Sequence, residues 1–205
     1  MEEIMMRIAD RDYSKLNLGC GRDITKKLPA PWLNVDVEGS AADVVYDIRS
    51  LPQGWTKAFD EVRVSHVLEH FFLDEMPSLL TEWHRVLVSH GQVRIIVPDL
   101  KIIATALLSG TDSKRRRSVS VTDTTAVLAQ IYGVGYETSR TQNEWRHRFL
   151  FDEELLKELL NQNGFKNAER YDPNEDPAKT YGVNDDSQNP FSLCVIAQKS
   201  KGENR

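Results

Sequence analysis

A chain of 205 residues with 40% hydrophobic and 28% charged residues has the size and composition of one soluble globular domain. Its formal net charge of -5 disfavours nucleic acid and anionic membranes as partners, because both bind basic surfaces. Residues 1–14 lack a basic region followed by an apolar core, and no apolar run approaches the roughly 20 residues of a membrane span. We therefore expect a cytoplasmic protein.

Five short apolar runs in the first half of the chain predict buried strands. They are residues 15–18, 33–37, 43–48, 59–65 and 92–97. The first run ends in Gly19-Cys20-Gly21, which is typical of a strand that breaks into a glycine turn, and the last is stopped by Pro98.

Two segments show the apolar periodicity of amphipathic helices. The first has Asp74 as its expected N-cap and Gly91 as its expected end, with Met76, Leu79, Leu80, Trp83, Val86 and Leu87 on one stripe. The second begins at Asp152 and ends at Gly164; its inner face is Leu155, Leu156, Leu159 and Leu160.

The remaining segments complete an α/β pattern. Residues 168–171 and 192–198 predict two late strands, and the polar stretch 172–190 reads as an exposed loop. Residues 101–150 are long and rich in Ser, Thr and Arg, which favours an inserted lid that binds the substrate. Alternating strands and helices predict one Rossmann-like, doubly wound domain over residues 1–205.

The two cysteines, Cys20 and Cys194, are far apart, and neither belongs to a CxxC pair. This argues against a zinc or redox centre, so we predict no metal and two reduced, buried thiols.

Ligands of open α/β sheets bind at the carboxyl ends of the strands, which directs attention to the glycine turn and Asp36. Gly19 and Gly21 let the backbone approach a ligand closely, but the same two glycines are also found in turns that bind no ligand. Asp36 follows Gly19 by seventeen positions, near the offset at which a carboxylate meets the ribose hydroxyls of an adenine nucleotide. Ile24 replaces the third glycine of a dinucleotide fingerprint, so the pattern favours S-adenosylmethionine over NAD.

An ordered set of motifs resembles class I S-adenosylmethionine-dependent methyltransferases. The motifs are residues 16–21 (LNLGCG), 34–36 (NVD), 47–52 (DIRSLP), 59–62 (FDEV), 65–70 (SHVLEH), 83–87 (WHRVL), 148–152 (RFLFD) and 164–165 (GF). Within that family, they resemble small bacterial predicted methyltransferases that are often linked to polysaccharide or glycan gene neighbourhoods. The likeness is specific over residues 15–100 and looser over 145–199.

The resemblance implies a seven-stranded sheet whose last strand is antiparallel, with S-adenosylmethionine as the cofactor. It implies that Gly19, Cys20 and Gly21 line the methionine and ribose of the cofactor and that Asp36 binds the ribose hydroxyls.

The same resemblance implies roles for residues after the third and fourth strands. Asp47 and Ile48 would flank the adenine, and Ser65 and His66 would lie near the methionine and the transferred methyl group. The implied reaction is methyl transfer to a small molecule or glycan, favoured at oxygen, and no feature predicts an oligomeric state.

Methyl transfer to a hydroxyl is helped by a general base, for which histidine suits neutral pH. The candidates are His66, His70 and His147, whereas His84 and His90 are expected to be structural or solvated.

Other polar and aromatic residues have both a functional and a structural interpretation. Glu69 could orient a histidine or cap a turn, and Asp99 could face the substrate or cap a helix. The basic run 114–117 could attract an anionic substrate or form a solvated face. The aromatic residues Tyr132, Tyr136 and Trp145 could line a pocket or pack the lid.

Two rival functions remain at this stage. An NAD-dependent oxidoreductase is disfavoured by Ile24 and by the lack of a Tyr-x-x-x-Lys-type pair. The second rival is a catalytically silent scaffold. It stays open because Asn17 stands where the family usually has an acidic residue, and Asp23 stands where it often has a third glycine.

Overall fold

Seven strands and six α-helices lie among residues 1–39, 41–108, 123–133 and 146–200, the part of the chain that a computed structural model describes. The strands are β1 (Lys15–Leu18), β2 (Trp32–Asp36), β3 (Val44–Val45), β4 (Phe59–Ser65), β5 (Leu87–Pro98), β6 (Phe165–Arg170) and β7 (Ser192–Lys199). The helices are α1 (Glu2–Ala9), α2 (Met76–Val86), α3 (Leu100–Leu108), α4 (Asp123–Tyr132), α5 (Glu153–Gln162) and α6 (Pro177–Thr180).

All seven strands belong to one sheet with the order β3-β2-β1-β4-β5-β7-β6. The first five strands are parallel to one another, and β7 runs antiparallel to both β5 and β6. The predicted seven-stranded α/β sheet with an antiparallel last strand is therefore confirmed. Chain order reverses direction between β1 and β4, and such a reversal opens a crevice at the carboxyl ends of the strands.

One face of the sheet is apolar because the inner strands alternate apolar and polar residues. Leu16 and Leu18 of β1 and Val62 and Val64 of β4 are fully buried in the main hydrophobic cluster. Helices α2 and α5 supply the rest of this cluster with Leu79, Leu80, Trp83, Leu156 and Leu160. Asp152 caps α5 as predicted, and its side chain accepts a hydrogen bond from the Leu155 amide at 2.9 Å.

The alternate positions of the same strands carry polar side chains that are also buried. Arg63 of β4 is 2% exposed, and its guanidinium donates to both carboxylate oxygens of Asp176, with a shortest distance of 2.8 Å. It also pairs with Asp185, and Asp176 accepts a hydrogen bond from the Tyr171 hydroxyl at 2.8 Å. Burial opposes the charge of Arg63, but Asp176 and Asp185 outweigh it and raise the pKa of the guanidinium.

The prediction of an exposed loop over residues 172–190 was therefore wrong for part of that segment. It contains α6 and two 3-10 turns, and Asp176, Ala178 and Ser187 are buried. The physical reason is that a buried arginine on a strand must find anionic partners, and this segment supplies them.

Two helix boundaries also differ from the prediction. Helix α2 starts after Glu75, and its N-cap has no side-chain hydrogen bond, so Asp74 is not the cap. The helix does not extend to Gly91 either, because Leu87 adopts extended backbone angles and pairs with Phe59 as the first residue of β5. Gly91 consequently lies inside a strand.

Three smaller observations complete the fold. Cys20 and Cys194 are buried and free, as predicted. Among the described residues, no helix is both long and apolar enough to cross a membrane. The segment 101–150 includes most of α3 and all of α4, whereas its basic run 114–117, Tyr136 and Trp145 lie outside the described residues.

Replacing Arg63 with methionine should lower the free energy of unfolding by about 3–5 kcal/mol, because it leaves two carboxylates buried without their cation. Urea unfolding followed by far-ultraviolet circular dichroism measures the change. The matched control is Lys101→Ala, which removes the exposed ion pair with Glu154 and should leave the urea midpoint unchanged. A normal midpoint for Arg63→Met would contradict this account of the polar face.

Candidate functional site

A crevice of about 620 Å³ opens at the carboxyl ends of β1, β2, β3 and β4. Its volume lies within the range of pockets that hold a small ligand. Its lining residues are Gly19, Gly21, Arg22, Asp36, Val37, Glu38, Asp47, Ile48, Arg49, His66, Val67, His70, Phe71, Phe72, Glu75 and Arg148. Cys20, Ser65 and His147, which sequence analysis also selected, are not among them.

The glycine turn after β1 brings bare backbone to the crevice. Gly19 and Gly21 have φ angles of 69° and 77°, in the left-handed region that favours glycine. A Cβ at Gly19 would lie 2.2 Å from a methyl carbon of Val67, whereas one at Gly21 would meet nothing within 4 Å. Gly19 therefore permits close packing against the end of β4, and Gly21 leaves open space beside the crevice.

Cys20, between these glycines, is 8% exposed. Burial, reinforced by the nearby carboxylate of Asp36, raises the pKa of its thiol to about 12. The thiol is thus protonated at neutral pH and is not a nucleophile.

Asp36 at the end of β2 connects the second strand to the glycine turn. Its Oδ2 accepts a hydrogen bond from the Gly21 amide at 2.8 Å, and its Oδ1 accepts one from the Glu38 amide at 3.1 Å. Each carboxylate oxygen has a further lone pair, and the half-buried residue lines the crevice. The arrangement holds an anionic acceptor of hydrogen bonds beside the exposed backbone of the turn.

Asp47 and Ile48 follow β3 on the same wall. The Asp47 carboxylate accepts hydrogen bonds from the Arg49 side chain, with a shortest distance of 2.7 Å, and this pairing lowers the pKa of Asp47. Ile48 is buried, and its carbonyl accepts a hydrogen bond from the Trp83 indole at 3.2 Å. The wall therefore presents one apolar side chain next to one anionic side chain.

His66 follows β4 directly and has a φ of 53°, an uncommon backbone conformation for a residue with a side chain. Its Nε2 lies 2.9 Å from the Ser192 hydroxyl, and its Nδ1 lies 3.1 Å from Oε1 of Glu69. Ser65, the last residue of β4, pairs with Ile96 and is half-buried behind the crevice wall. Of this neighbouring pair, only His66 reaches the crevice.

Glu69 is completely buried and is surrounded by histidines. Burial alone would raise the pKa of this carboxyl, but the neighbouring His66, His70 and His147 outweigh burial and hold the pKa below its usual range. His147 lies behind the crevice, where burial lowers the pKa of its imidazole. The ring centroids of His70 and His147 are 5.0 Å apart, so the three predicted histidines share one carboxylate.

Several crevice residues were missed by sequence analysis. The guanidinium carbon of Arg148 lies 4.4 Å from the ring centroid of Phe72, whose amide donates to Glu75 at 2.8 Å. Arg22 and Glu38 form an ion pair at the opposite rim. The adjacent Phe71 and Phe72 were visible as an apolar pair after the SHVLEH motif. Arg148 was visible only as the first residue of the RFLFD motif, and its place in the site was not predicted because it reaches the crevice from a distant segment.

The remaining sequence candidates lie elsewhere. Asp99 caps α3 by accepting a hydrogen bond from the Lys101 amide at 2.9 Å, which agrees with its capping interpretation. His84 is half-buried against Phe165, and His90 is exposed. Tyr132 is 52% exposed at the end of α4.

Alanine substitutions at the two glycines should differ in their effect on stability. Gly21→Ala should cost about 1–2 kcal/mol through backbone strain alone. Gly19→Ala should cost about 2–5 kcal/mol, because the new methyl group must also displace Val67. Thermal and urea unfolding of both variants measure the difference, and equal losses would show that the Val67 contact is unimportant.

No protein-family model and no curated protein sequence matches this chain. Solved structures do match it. One is the 1,6-didemethyltoxoflavin-N1-methyltransferase of Burkholderia thailandensis with 1,6-didemethyltoxoflavin and S-adenosylhomocysteine bound. The two structures align with a TM-score of 0.52 and 17% sequence identity, and the match covers 97% of this chain and 76% of that one. Another is a SAM-dependent methyltransferase from Archaeoglobus fulgidus, which aligns with a TM-score of 0.52 and 18% sequence identity. This match covers 97% of this chain and 94% of that one.

Human N-acetylserotonin methyltransferase in complex with SAM also matches, with a TM-score of 0.51 and 11% identity. The match covers 98% of this chain, which spans only 51% of the human protein. At these identities the likeness concerns architecture, and the sheet order and antiparallel last strand described above agree with it. The described part of the chain therefore has the α/β fold that these S-adenosylmethionine-dependent methyltransferases share.

Proposed function

We propose that the protein is a class I S-adenosylmethionine-dependent methyltransferase. The observation that carries the proposal is the pairing of the glycine turn with Asp36 on one wall of the crevice, joined by the Gly21–Asp36 hydrogen bond of 2.8 Å. The neighbouring structures solved with S-adenosylmethionine or S-adenosylhomocysteine support the choice of cofactor. In this proposal residues 1–205 form one domain, and 101–150 is an inserted segment that contributes to binding of the methyl acceptor.

The residues of the crevice fit the cofactor. The open space at Gly21 accommodates the ribose and methionine portions, and the free lone pairs of Asp36 suit a vicinal diol. Ile48 offers an apolar surface for an adenine ring, beside the carboxylate of Asp47. Cys20 and Ser65, which do not line the crevice, would contribute only through their backbone positions.

An NAD-dependent oxidoreductase fits the same crevice less well. A dinucleotide pyrophosphate is held at the N-terminus of a helix after the glycine turn. Between the glycine turn and β2, the described structure contains only the three-residue 3-10 turn Ile24–Lys26. A cofactor without phosphates does not need the missing helix.

His66 is the residue to which we assign the role of general base. S-adenosylmethionine supplies a methyl group already activated on a positively charged sulfur, so the protein mainly aligns the acceptor and takes its proton. Nε2 of His66 would accept that proton in place of its contact with the Ser192 hydroxyl, while Glu69 next to Nδ1 would stabilise the resulting positive charge on the ring. In this proposal the acceptor atom is a hydroxyl oxygen and lies beside His66.

The acceptor is proposed to be a small molecule. Arg22, Arg49 and Arg148 give the crevice basic groups, and Phe71 and Phe72 give it an aromatic rim. A sugar hydroxyl suits this mixture of polar and aromatic side chains, and the choice of a sugar otherwise rests on the family resemblance alone.

Binding of S-adenosylhomocysteine to the wild-type chain, measured by isothermal titration calorimetry, is the direct test of the cofactor. Asp36→Asn should weaken binding at least tenfold, because charge-assisted hydrogen bonds to the diol are lost. The control is Asp60→Asn, which removes an exposed carboxylate that pairs with Arg11 at the opposite end of the sheet. Absence of binding to the wild type, or equal binding to Asp36→Asn, would refute the proposal.

Substitution of His66 by alanine should lower the turnover number by a factor of about 10²–10⁴, with the affinity for S-adenosylhomocysteine changed only a few-fold. The assay transfers radiolabelled methyl groups to a panel of saccharides and small hydroxyl compounds. His90→Ala serves as the control, since His90 is exposed and remote from the crevice. Binding of the cofactor without turnover on any compound would favour the silent scaffold instead.

A further inference from the structure

The buried carboxylate of Glu69 depends on the histidine side chains around it to stabilise its charge. It is 0% exposed, and apart from the histidine ring nitrogens around it, neither of its oxygens has a hydrogen-bond partner among the described residues. The nearest polar atom of a basic side chain is Nδ1 of His66, at 3.1 Å from Oε1. Removing a carboxylate from water without such bonds is strongly unfavourable unless a cation lies next to it.

The two other histidines of the cluster are oriented by backbone carbonyls. Nδ1 of His147 lies 2.8 Å from the carbonyl oxygen of Gln130, and Nδ1 of His70 lies 3.2 Å from that of Arg146. A carbonyl oxygen can only accept a hydrogen bond, so each Nδ1 carries a proton and donates it. In the neutral rings, Nε2 is then left with a lone pair available for another partner.

The lone pair of His147 faces the carboxylate. When His147 is neutral, its Nε2 lone pair and Oε1 of Glu69 are two electron-rich atoms that oppose each other at 3.9 Å, a distance too long for a hydrogen bond. A positive ion between them would turn this repulsive arrangement into an attractive one. His70, His147 and Glu69 each offer a ligand atom, and the three atoms lie within 4.8 Å of one another.

We propose that Glu69, His70 and His147 bind a divalent transition-metal ion of the zinc type at the inner wall of the crevice. Donor atoms of a tetrahedral zinc site are about 3.3 Å apart, given metal–ligand distances of roughly 2.0–2.1 Å. Side-chain rotations would bring the three donor atoms, which lie within 4.8 Å of one another, to that spacing. The carbonyls of Gln130 and Arg146 supply the outer hydrogen bonds that fix the tautomer of metal-binding histidines.

Three protein ligands leave one coordination position open, as in sites where a metal ion holds a substrate oxygen. His70 lines the crevice, so the open position would face the space beside His66. The ion would thus sit where the oxygen of a methyl acceptor is expected.

The backbone brings these ligands together before any ion binds. The amides of Arg148 and Phe149 donate to the Glu69 carbonyl at 2.7 and 3.2 Å, which ties the segment after His147 to the turn that holds Glu69 and His70. The His147 amide also donates to the Tyr132 carbonyl at 3.3 Å, at the end of α4. A bound ion would therefore add a further connection between α4, this segment and the end of β4.

The donor set predicts which ions bind. Two imidazoles and one carboxylate suit Zn²⁺ and Co²⁺, whereas Mg²⁺ prefers oxygen ligands and water. Zn²⁺ should raise the melting temperature of the chelator-treated chain, because the ion binds the folded state, and Mg²⁺ at the same concentration should not.

Titration of the chelator-treated full chain with Zn²⁺ by calorimetry, and with Co²⁺ by visible absorption, tests the site. The expected result is one ion per chain, with the intense visible bands of four-coordinate Co²⁺. His70→Ala, His147→Ala and Glu69→Gln should each weaken binding at least tenfold, and His90→Ala should leave it unchanged. No nucleoside is present, so this result is independent of the proposed methyl transfer.

Circular dichroism and melting of the variants without metal control for misfolding. Glu69→Gln keeps the shape of the buried side chain. If this variant nevertheless fails to fold, metal binding by the variants of the half-buried His70 and His147 tests the proposal. Absence of stoichiometric Zn²⁺ binding would overturn the proposal. Equal binding to the wild type and to both histidine variants, or an equal effect of Mg²⁺, would also overturn it.

Discussion

The alternation of apolar and polar residues along β1, β2 and β4 is the constraint on which the rest of the structure depends. It gives the sheet one face that α2 and α5 cover with hydrophobic side chains and another face that contains buried polar groups. A guanidinium in that second face cannot stay without anionic partners. Arg63 consequently fixes the position of residues 176–185, and these residues close the polar face in place of an apolar helix.

This constraint also explains a departure from the resembling family. Asn17 stands where that family usually has an acidic residue, and its amide donates to Asn34 at 3.0 Å while its oxygen accepts from Arg63 at 3.2 Å. Its side chain belongs to the buried polar face of the sheet, and the residue is 2% exposed. The carboxylates that line the crevice come instead from the strand ends, at Asp36 and Asp47, and from Glu38 and Glu75.

A single buried carboxylate connects the two proposals made for the site. Glu69 lies next to Nδ1 of His66, where it would stabilise a protonated base, and it faces His147, where it would bind a metal ion. Because the charge is inside the protein, both effects are stronger than they would be at the surface. Both contacts involve Oε1 of Glu69. The two roles are compatible, since each carboxylate oxygen has two lone-pair sites and can contact a histidine and an ion together.

The sequence by itself determined the elements whose signal is local. Periodicity located β1, β4, α5 and most of α2, and the glycine turn with Asp36 was identified from spacing, because strand ends and turns depend on neighbouring residues. Only the tertiary structure decided that part of residues 172–190 is folded and buried, and that Glu69 is buried next to His147. Those features depend on contacts between polar side chains that are distant along the chain, and such contacts leave no periodic trace in the sequence.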